Sequence, residues 1–431
     1  MIKDKEITSE DLLKKILEGS RIDYCAICGK CLSVCPTYRE TFEEINSPRG
    51  RINLISGWIR GDFIPSKKFG EALLNCLLCG ACNTVCPSNI YPSDAIQLIR
   101  SHPIFKPFKI KSESVLLKMV GSQNQIKKMI FPLRIYQITG IRKIIRKKLG
   151  GIIPQKYKIL ESFFPDIPNK PFTEMINEVE KPDKPIGLTV FYFPGCAMNF
   201  FLPQISLCTV KLLVNLGVEV RIPKDFFCCG APQIHEGEIE TAQKLAKENM
   251  KIFSSCKFDY ILTDCSACGA SLKNYADWFS DNSKFKKSAD DFSGKVRDIS
   301  EFLLNLDVNW REVEIGEKFR NLKLTFDNPC ELRHNQKIKD APIKILKKIK
   351  NINFIEMPES DWCCGSAGAF ILRKPIDADR IFKRKVDILR EMNVDGIVTL
   401  NPGCYFQWKS GIERYNLNTK IFYLTEIFSV G

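Results

Sequence analysis

Two stretches, CAICGKCLSVCP at 25–36 and CLLCGACNTVCP at 76–87, each set four cysteines two, two and three residues apart and place proline after the last. They hold eight of the 19 cysteines in a chain of 431 residues. Nothing else in the sequence limits folding as tightly, because a backbone so dense in thiols must close around a ligand or be cross-linked. Cross-linking is the weaker account. The opening MIKDKEITSEDLLKK is too charged for a secretory signal, and no apolar stretch nears the ~20 residues that cross a bilayer. A cytoplasmic chain is expected, with peripheral contact at the inner face of a membrane left open. Thiols stay reduced in that compartment, so patterned cysteines there point to metal. An odd number could not all pair within one chain in any case.

The spacing selects the metal. C-x2-C-x2-C-x3-C-P is the bacterial ferredoxin pattern for [4Fe–4S] clusters. Three cysteines spaced by two wrap three corners of a cubane, and the fourth, turned away by proline, reaches the neighbouring cluster. The expected sets are Cys25, Cys28, Cys31 and Cys86 on one cluster, and Cys35, Cys76, Cys79 and Cys82 on the other. Zinc takes four ligands as two close pairs and has no use for the third cysteine or for the fourth before proline. Two clusters in series imply electron transfer.

Around these runs the chain divides into four parts. A helix is expected over 9–18, capped by Ser9 and stopped by Gly19, and another over 50–60. Residues 1–100 thus read as a helical, ferredoxin-type domain with two [4Fe–4S] clusters. Residues 101–186 are a basic helical segment and a linker with five prolines at 165, 168, 171, 182 and 185. Of the formal net charge of +14, the 14 Lys and Arg of 101–160 against one acid, Glu113, supply +13. Within 141–149, Ile141, Ile144, Ile145 and Leu149 fall at helical spacing with Arg and Lys opposite. A helix lying on anionic lipid, a docking surface for a partner protein and a plain solvated helix all fit that pattern. Nucleic acid is not expected, because no base-stacking motif or helix-turn-helix accompanies the charge.

The remainder, 187–310 and 311–431, is one pattern written twice about 135 residues apart. The first copy runs LTVFYFPGC, FFCCGAPQIHEG, YILTDCSACGA; the second runs LKLTFDNPC, WCCGSAGAF, GIVTLNPGC. Apolar β-rich runs ending in cysteine alternate with helical segments at 236–253 and 376–392, which predicts an α/β fold with ligands at the carboxyl ends of strands. The class overall is α/β, or α+β counting the helical N-terminal domain. The first copy offers Cys196, Cys228, Cys229, Cys265 and Cys268, and the second Cys330, Cys363, Cys364 and Cys404, with Gln407 where a fifth would fall. Adjacent cysteines seldom both bind one metal ion but can serve a multi-iron cluster, and Gly230 permits close backbone approach. One or two further iron–sulfur clusters are expected, with zinc an alternative at the second site.

These residues carry a resemblance. The Cys-Cys-Gly (CCG) blocks resemble the domain family shared by heterodisulfide reductase subunits and the iron–sulfur subunits of 2-hydroxyacid oxidases. CPTYRE, SPRGRINLI, both ferredoxin runs, CCGAPQIH, NPCELRHNQK, CCGSAGAF and NPGC are similar, over nearly the whole chain, to the glycolate oxidase iron–sulfur subunit family. The resemblance implies electrons accepted from a separate FAD-containing 2-hydroxyacid dehydrogenase subunit, acting on glycolate or lactate, and passed to a quinone or another carrier. TDCSACG carries two cysteines where that subunit has one, which is the heterodisulfide reductase pattern. It implies an alternative, disulfide reduction at the first CCG site.

Other residues are assigned more plainly. His235 and His334, beside the CCG motifs, are candidates for carrying protons or binding metal, against the simpler role of orienting a loop by hydrogen bonds. His102 reads as loop, Cys208 and Cys256 as buried apolar residues in helices, and Arg49 and Arg51 as a solvated loop rather than charges that tune a cluster. The chain has no G-x-G-x-x-G fingerprint, no P-loop and no nucleophile with a partnered base, so it is not expected to bind flavin or nucleotide itself.

Overall fold

The structure, a computed structural model, describes residues 7–144, 153–254 and 257–428. Helices dominate the N-terminal part: α1 (Ser9–Lys14), α2 (Pro36–Thr41), α3 (Pro48–Ile59), α4 (Lys67–Leu74), α5 (Ala81–Val85) and α6 (Pro92–Ser101). The cap of α1 is Thr8, not Ser9. Its hydroxyl accepts from Asp11 N at 3.1 Å while the Asp11 carboxylate accepts from Thr8 N at 2.7 Å, a reciprocal pair that Ser9 could not form. Proline sets the starts of α2, α3 and α6, where its fixed φ suits the first turn and its missing N–H is not needed. These helices enclose a small core of Ile16, Ile22, Ile52, Ile55, Phe69, Leu73, Ile96 and Ile99.

The connecting region is more structured than a linker. Helices α7 (Lys111–Met119), α8 (Gln123–Ile138), α9 (Ile141–Ile144) and α10 (Gln155–Phe163) cross it. In the proline-rich stretch Phe172 is fully buried, and strand β1 (Val179–Glu180) pairs antiparallel with β3 (Glu219–Arg221). Of the amphipathic segment 141–149, only 141–144 is described; Ile141 is exposed, and Arg142 is drawn into ion pairs with Glu161 and Asp166 rather than facing solvent.

Each repeat builds a parallel sheet. Strands β2 (Thr189–Tyr192), β3, β4 (Tyr260–Thr263) and β5 (Val296–Asp298) lie in the order β3-β2-β4-β5, with β1 added at the edge. Strands β6 (Lys323–Phe326), β7 (Asn353–Phe354), β8 (Gly396–Thr399) and β9 (Lys420–Tyr423) repeat it as β7-β6-β8-β9. Helices α11 (Gly195–Phe201), α12 (Pro203–Asn215), α13 (Ala231–His235), α14 (Ile239–Phe253), α15 (Ser266–Lys273), α16 (Lys286–Lys295) and α17 (Ile299–Asn305) connect the first set. Helices α18 (Ala341–Lys348), α19 (Phe370–Arg373), α20 (Pro375–Glu391) and α21 (Pro402–Arg414) connect the second. The strands are apolar on both faces because helices cover both, as parallel sheets require. One core runs through both repeats, from Val190 and Ile261 to Leu324 and Val398. At the seam the N–H and hydroxyl of Ser266 both donate to Leu400 O, at 3.0 and 2.7 Å.

Candidate metal centres

The two ferredoxin runs fold alike. In each, the residue before the second cysteine is left-handed, Ile27 at φ 52° and Leu78 at φ 52°. That backbone is costly for a branched side chain and persists only where surroundings enforce it. It turns amides inward: Leu78 N–H donates to Cys76 Sγ at 3.4 Å. One cavity is lined by Cys25, Cys28, Cys31 and Cys86 together with Cys82; a second by Cys35, Cys76, Cys79 and Cys82. The fourth cysteine of each run therefore lines the cavity of the other run, and Cys82 stands in the shared wall. Cys28 is exposed, as are Tyr24 and Ile27 beside it, whereas Cys35, Cys79 and Cys82 are buried. Burial pushes the Cys79 and Cys82 thiols well up and that of Cys31 to about 11, so thiolate there calls for a cationic centre.

In the first repeat five thiols form a continuous chain of contacts, Cys196 to Cys228 to Cys229 to Cys268 to Cys265. Cys229 is lowered to about 6 because Cys228 and Cys268 both donate to it, outweighing burial. In the second repeat the chain is Cys330 to Cys363 to Cys364 to Cys404, with Cys364 and Cys404 3.3 Å apart at sulfur. Cys364 is likewise lowered by its neighbours Cys363 and Cys404. Glycine is needed in both Cys-Cys-Gly turns: Gly230 and Gly365 sit at φ 86° and 80°, and a Cβ on Gly365 would lie 2.5 Å from Ala378 O. Among the described residues, no three His, Cys, Asp or Glu side chains are arranged to hold a single metal ion.

The strands correct the register read between the repeats. β4 and β8 end at Thr263 and Thr399, so Cys268 corresponds to Cys404, and Cys265 to Asn401 rather than Cys404 to Cys265 and Gln407 to Cys268. Both Cys265 and Asn401 are helix N-caps, and each faces the following cysteine: Cys268 N donates to Cys265 Sγ at 3.3 Å, and Asn401 Nδ2 to Cys404 Sγ at 3.6 Å. Cys208 lies on α12 as expected but only half-buried; Cys256 lies outside the described residues.

Comparison with known proteins follows these boundaries. A model described as a 4Fe-4S dicluster domain matches residues 21–90, and one described as a cysteine-rich (CCG) domain matches 190–273 and 324–409. The chain is 31% identical over 427 residues to the probable glycolate oxidase iron-sulfur subunit of Bacillus subtilis, covering 97% of this chain and 94% of that protein. The chain belongs to the glycolate oxidase iron–sulfur subunit family. It is an iron–sulfur electron-transfer component of an oxidoreductase. It is also 26% identical over 421 residues to one of the subunits of the fumarate reductase (CoM/CoB) of Methanothermobacter marburgensis, covering 94% of this chain and 72% of that one. A crystal structure of a hypothetical protein from Helicobacter pylori shares the fold, with a TM-score of 0.54 and 12% identity over 99% of this chain and 77% of the other.

In this member of the family two arginines join the sites, Arg51, expected as part of a solvated loop, and Arg100, which the sequence did not single out. Arg51 is not solvated; it is 1% exposed, and its guanidinium donates to Ala72 O at 2.8 Å and Thr37 Oγ1 at 3.0 Å and lies 4.0 Å from Cys35 Sγ. No carboxylate among the described residues pairs with it. A buried guanidinium without a counter-charge is unfavourable, so a cationic metal core that becomes net anionic once the thiolates of Cys35, Cys76, Cys79 and Cys82 are counted fits this cavity. Arg49, by contrast, is partly exposed and paired with Glu44 at 2.7 Å. Buried Arg100 donates to Leu73 O at 2.5 Å, Cys76 O at 2.7 Å and His235 O at 2.8 Å. His235 faces Glu331 at 3.6 Å across the repeats, and His334 shares a hydrogen bond with Thr84 at 3.1 Å. Burial lowers the pKa of His334. Each histidine thus reaches a residue far from it in the sequence, Glu331 from His235 and Thr84 from His334.

Proposed function

We propose that this chain relays electrons from an FAD-containing 2-hydroxyacid dehydrogenase subunit, through two [4Fe–4S] clusters and then clusters in the CCG repeats, to a quinone or another carrier. The ligands would be Cys25, Cys28, Cys31 and Cys86 for the first cluster and Cys35, Cys76, Cys79 and Cys82 for the second. Cys196, Cys228, Cys229, Cys265 and Cys268 would serve the first CCG site, and Cys330, Cys363, Cys364 and Cys404 the second. The observation that carries the reading is a succession of thiol-lined sites running inward. Exposed Cys28 opens it, Cys82 stands between the two cavities, and Cys79 packs in one apolar cluster with Cys330 and Cys363. When bound, the clusters supply one-electron redox capacity; the chain's residues hold them close in series and keep water from the inner ones.

The test is anaerobic mixing of the loaded protein with the FAD-containing dehydrogenase of the same cell, followed by glycolate or lactate. Cluster absorbance should bleach only when hydroxy acid and both proteins are present. Absence of a complex and of any bleaching counts against the relay.

The five contacting thiols of the first CCG site favour a second reading. One more thiol than a cubane takes, next to a Cys229 that ionises readily, suits reduction of a disulfide substrate there.

A further inference from the structure

The two ferredoxin-type cavities differ in charge more than in cysteines. Arg49 lines the outer cavity, but Glu44 holds it bidentately at 2.7 and 3.1 Å, so the pair is close to neutral and half in water. Arg51 lines the inner cavity, 1% exposed, and spends its donors on a carbonyl, a hydroxyl and Cys35 Sγ. A second buried guanidinium, Arg100, reaches the same loop through Cys76 O. Arg100 has acidic company in Glu236, which also pairs with Arg373. Arg51 has none among the described residues.

Reducing a cluster adds one negative charge to it. A fixed, desolvated cation at the cavity wall favours that added electron far more than a surface pair screened by its own carboxylate and by water. The outer site is the exposed one, at Cys28, and the inner site adjoins the CCG repeats. We propose that Arg51 is the positioning and tuning charge that makes the inner cluster the stronger electron acceptor of the two, so that electrons run from the surface inward. This rests on the relay reading above.

Low-temperature EPR during anaerobic potentiometric titration tests it on the full-length loaded protein. Cys28→Ser, which alters only an outer ligand, assigns the signals. In the unaltered protein the inner cluster should be reduced first. Arg51→Gln should move the inner cluster alone by tenfold or more in its reduction equilibrium, toward lower potential; tenfold is about 59 mV for one electron. Arg51→Lys should keep most of the native value, and Arg49→Gln should leave the inner cluster unmoved. Equal shifts in Arg51→Gln and Arg51→Lys, or an outer cluster reduced first in the unaltered protein, would overturn the proposal. Should Arg51→Gln fail to load its cluster, the unaltered order and Arg51→Lys decide by the same criteria. If the unaltered protein shows no pair of ferredoxin-type signals, the relay reading fails; if both appear and Arg51→Gln moves neither, only the role of Arg51 fails.

Discussion

Cys265 and Asn401 occupy one position in two copies of a fold, each at the N-cap of the helix that carries the last cysteine of its site. Asparagine is a good N-cap, so Cys265→Asn should fold and still present Cys268. It should leave the first site with four thiols, as in the second. If the fifth thiol serves disulfide reduction, dithionite-reduced Cys265→Asn should lose that activity at least tenfold while both ferredoxin EPR signals persist. Undiminished activity sinks the disulfide reading. The pairing of Cys265 with Asn401 does not show in a pattern of cysteines, because asparagine leaves no mark in it; only the strand ends, Thr263 and Thr399, set the register. Arg51 was hidden for a different reason. Beside Gly50 and Arg49 it reads as solvated charge, and its burial depends on acceptors from Thr37 and Ala72, distant in sequence.

At the scale of elements, helix α4 shows what arginine can do at a helix end. Its last carbonyls, Ala72, Leu73 and Leu74, are taken by Arg51, Arg100 and Arg373, three guanidiniums from three parts of the chain, just before Cys76. At Ala72 and Leu74 they satisfy acceptors that a helix end leaves open, at Leu73 they add to the bond from Cys76 N, and their charge suits the C-terminal dipole. The start of α17 is the opposite case. Asp298 caps it, accepting from Ser300 N at 2.9 Å, but burial outweighs those bonds and raises its pKa to about 6. Unfolded, an aspartate releases its proton near pH ~4. Between these values the native state binds more protons, so stability falls as pH rises from about 4 to about 6 and is flat beyond. Asp298→Asn keeps an acceptor for Ser300 and should remove this slope, becoming more stable relative to the unaltered chain by about 1–2 kcal/mol at pH 7. Chemical denaturation of both proteins at pH 5 and 7 reads the difference. The strands themselves were legible, since VFYF, YILT, LTF and GIVT are runs suited only to a sheet covered on both faces.

Across the whole molecule, the N-terminal sites and the repeats are held together by charge as well as by apolar contact. Arg373, at the end of α19, pairs with Glu113 and with Glu236, each at 2.8 Å, and donates to Leu74 O at 3.3 Å. One side chain thereby ties the second repeat to α7, to the loop after α13 and to α4. The same seam is closed elsewhere by steric fit: a Cβ on Gly80 would lie 2.4 Å from Asn335 Oδ1. Arg373→Met would strand two carboxylates, one of which, Glu113, already resists ionisation, since burial raises its pKa despite the arginine. Breaking one side of a buried ion pair costs about 3–5 kcal/mol. That is enough to loosen the seam without unfolding either core, because Ile55 and Leu73 belong to one apolar cluster and Val190 and Val398 to another. Hydrogen exchange should therefore quicken around 70–85 and 330–336 in Arg373→Met, and electrons from the outer cluster should reach the CCG sites more slowly. Adding Glu113→Gln and Glu236→Gln removes the stranded charge and should restore most of the protection. Exchange at the native rate in the single variant would mean that packing alone, through Gly80 and Asn335, holds the N-terminal part against the second repeat.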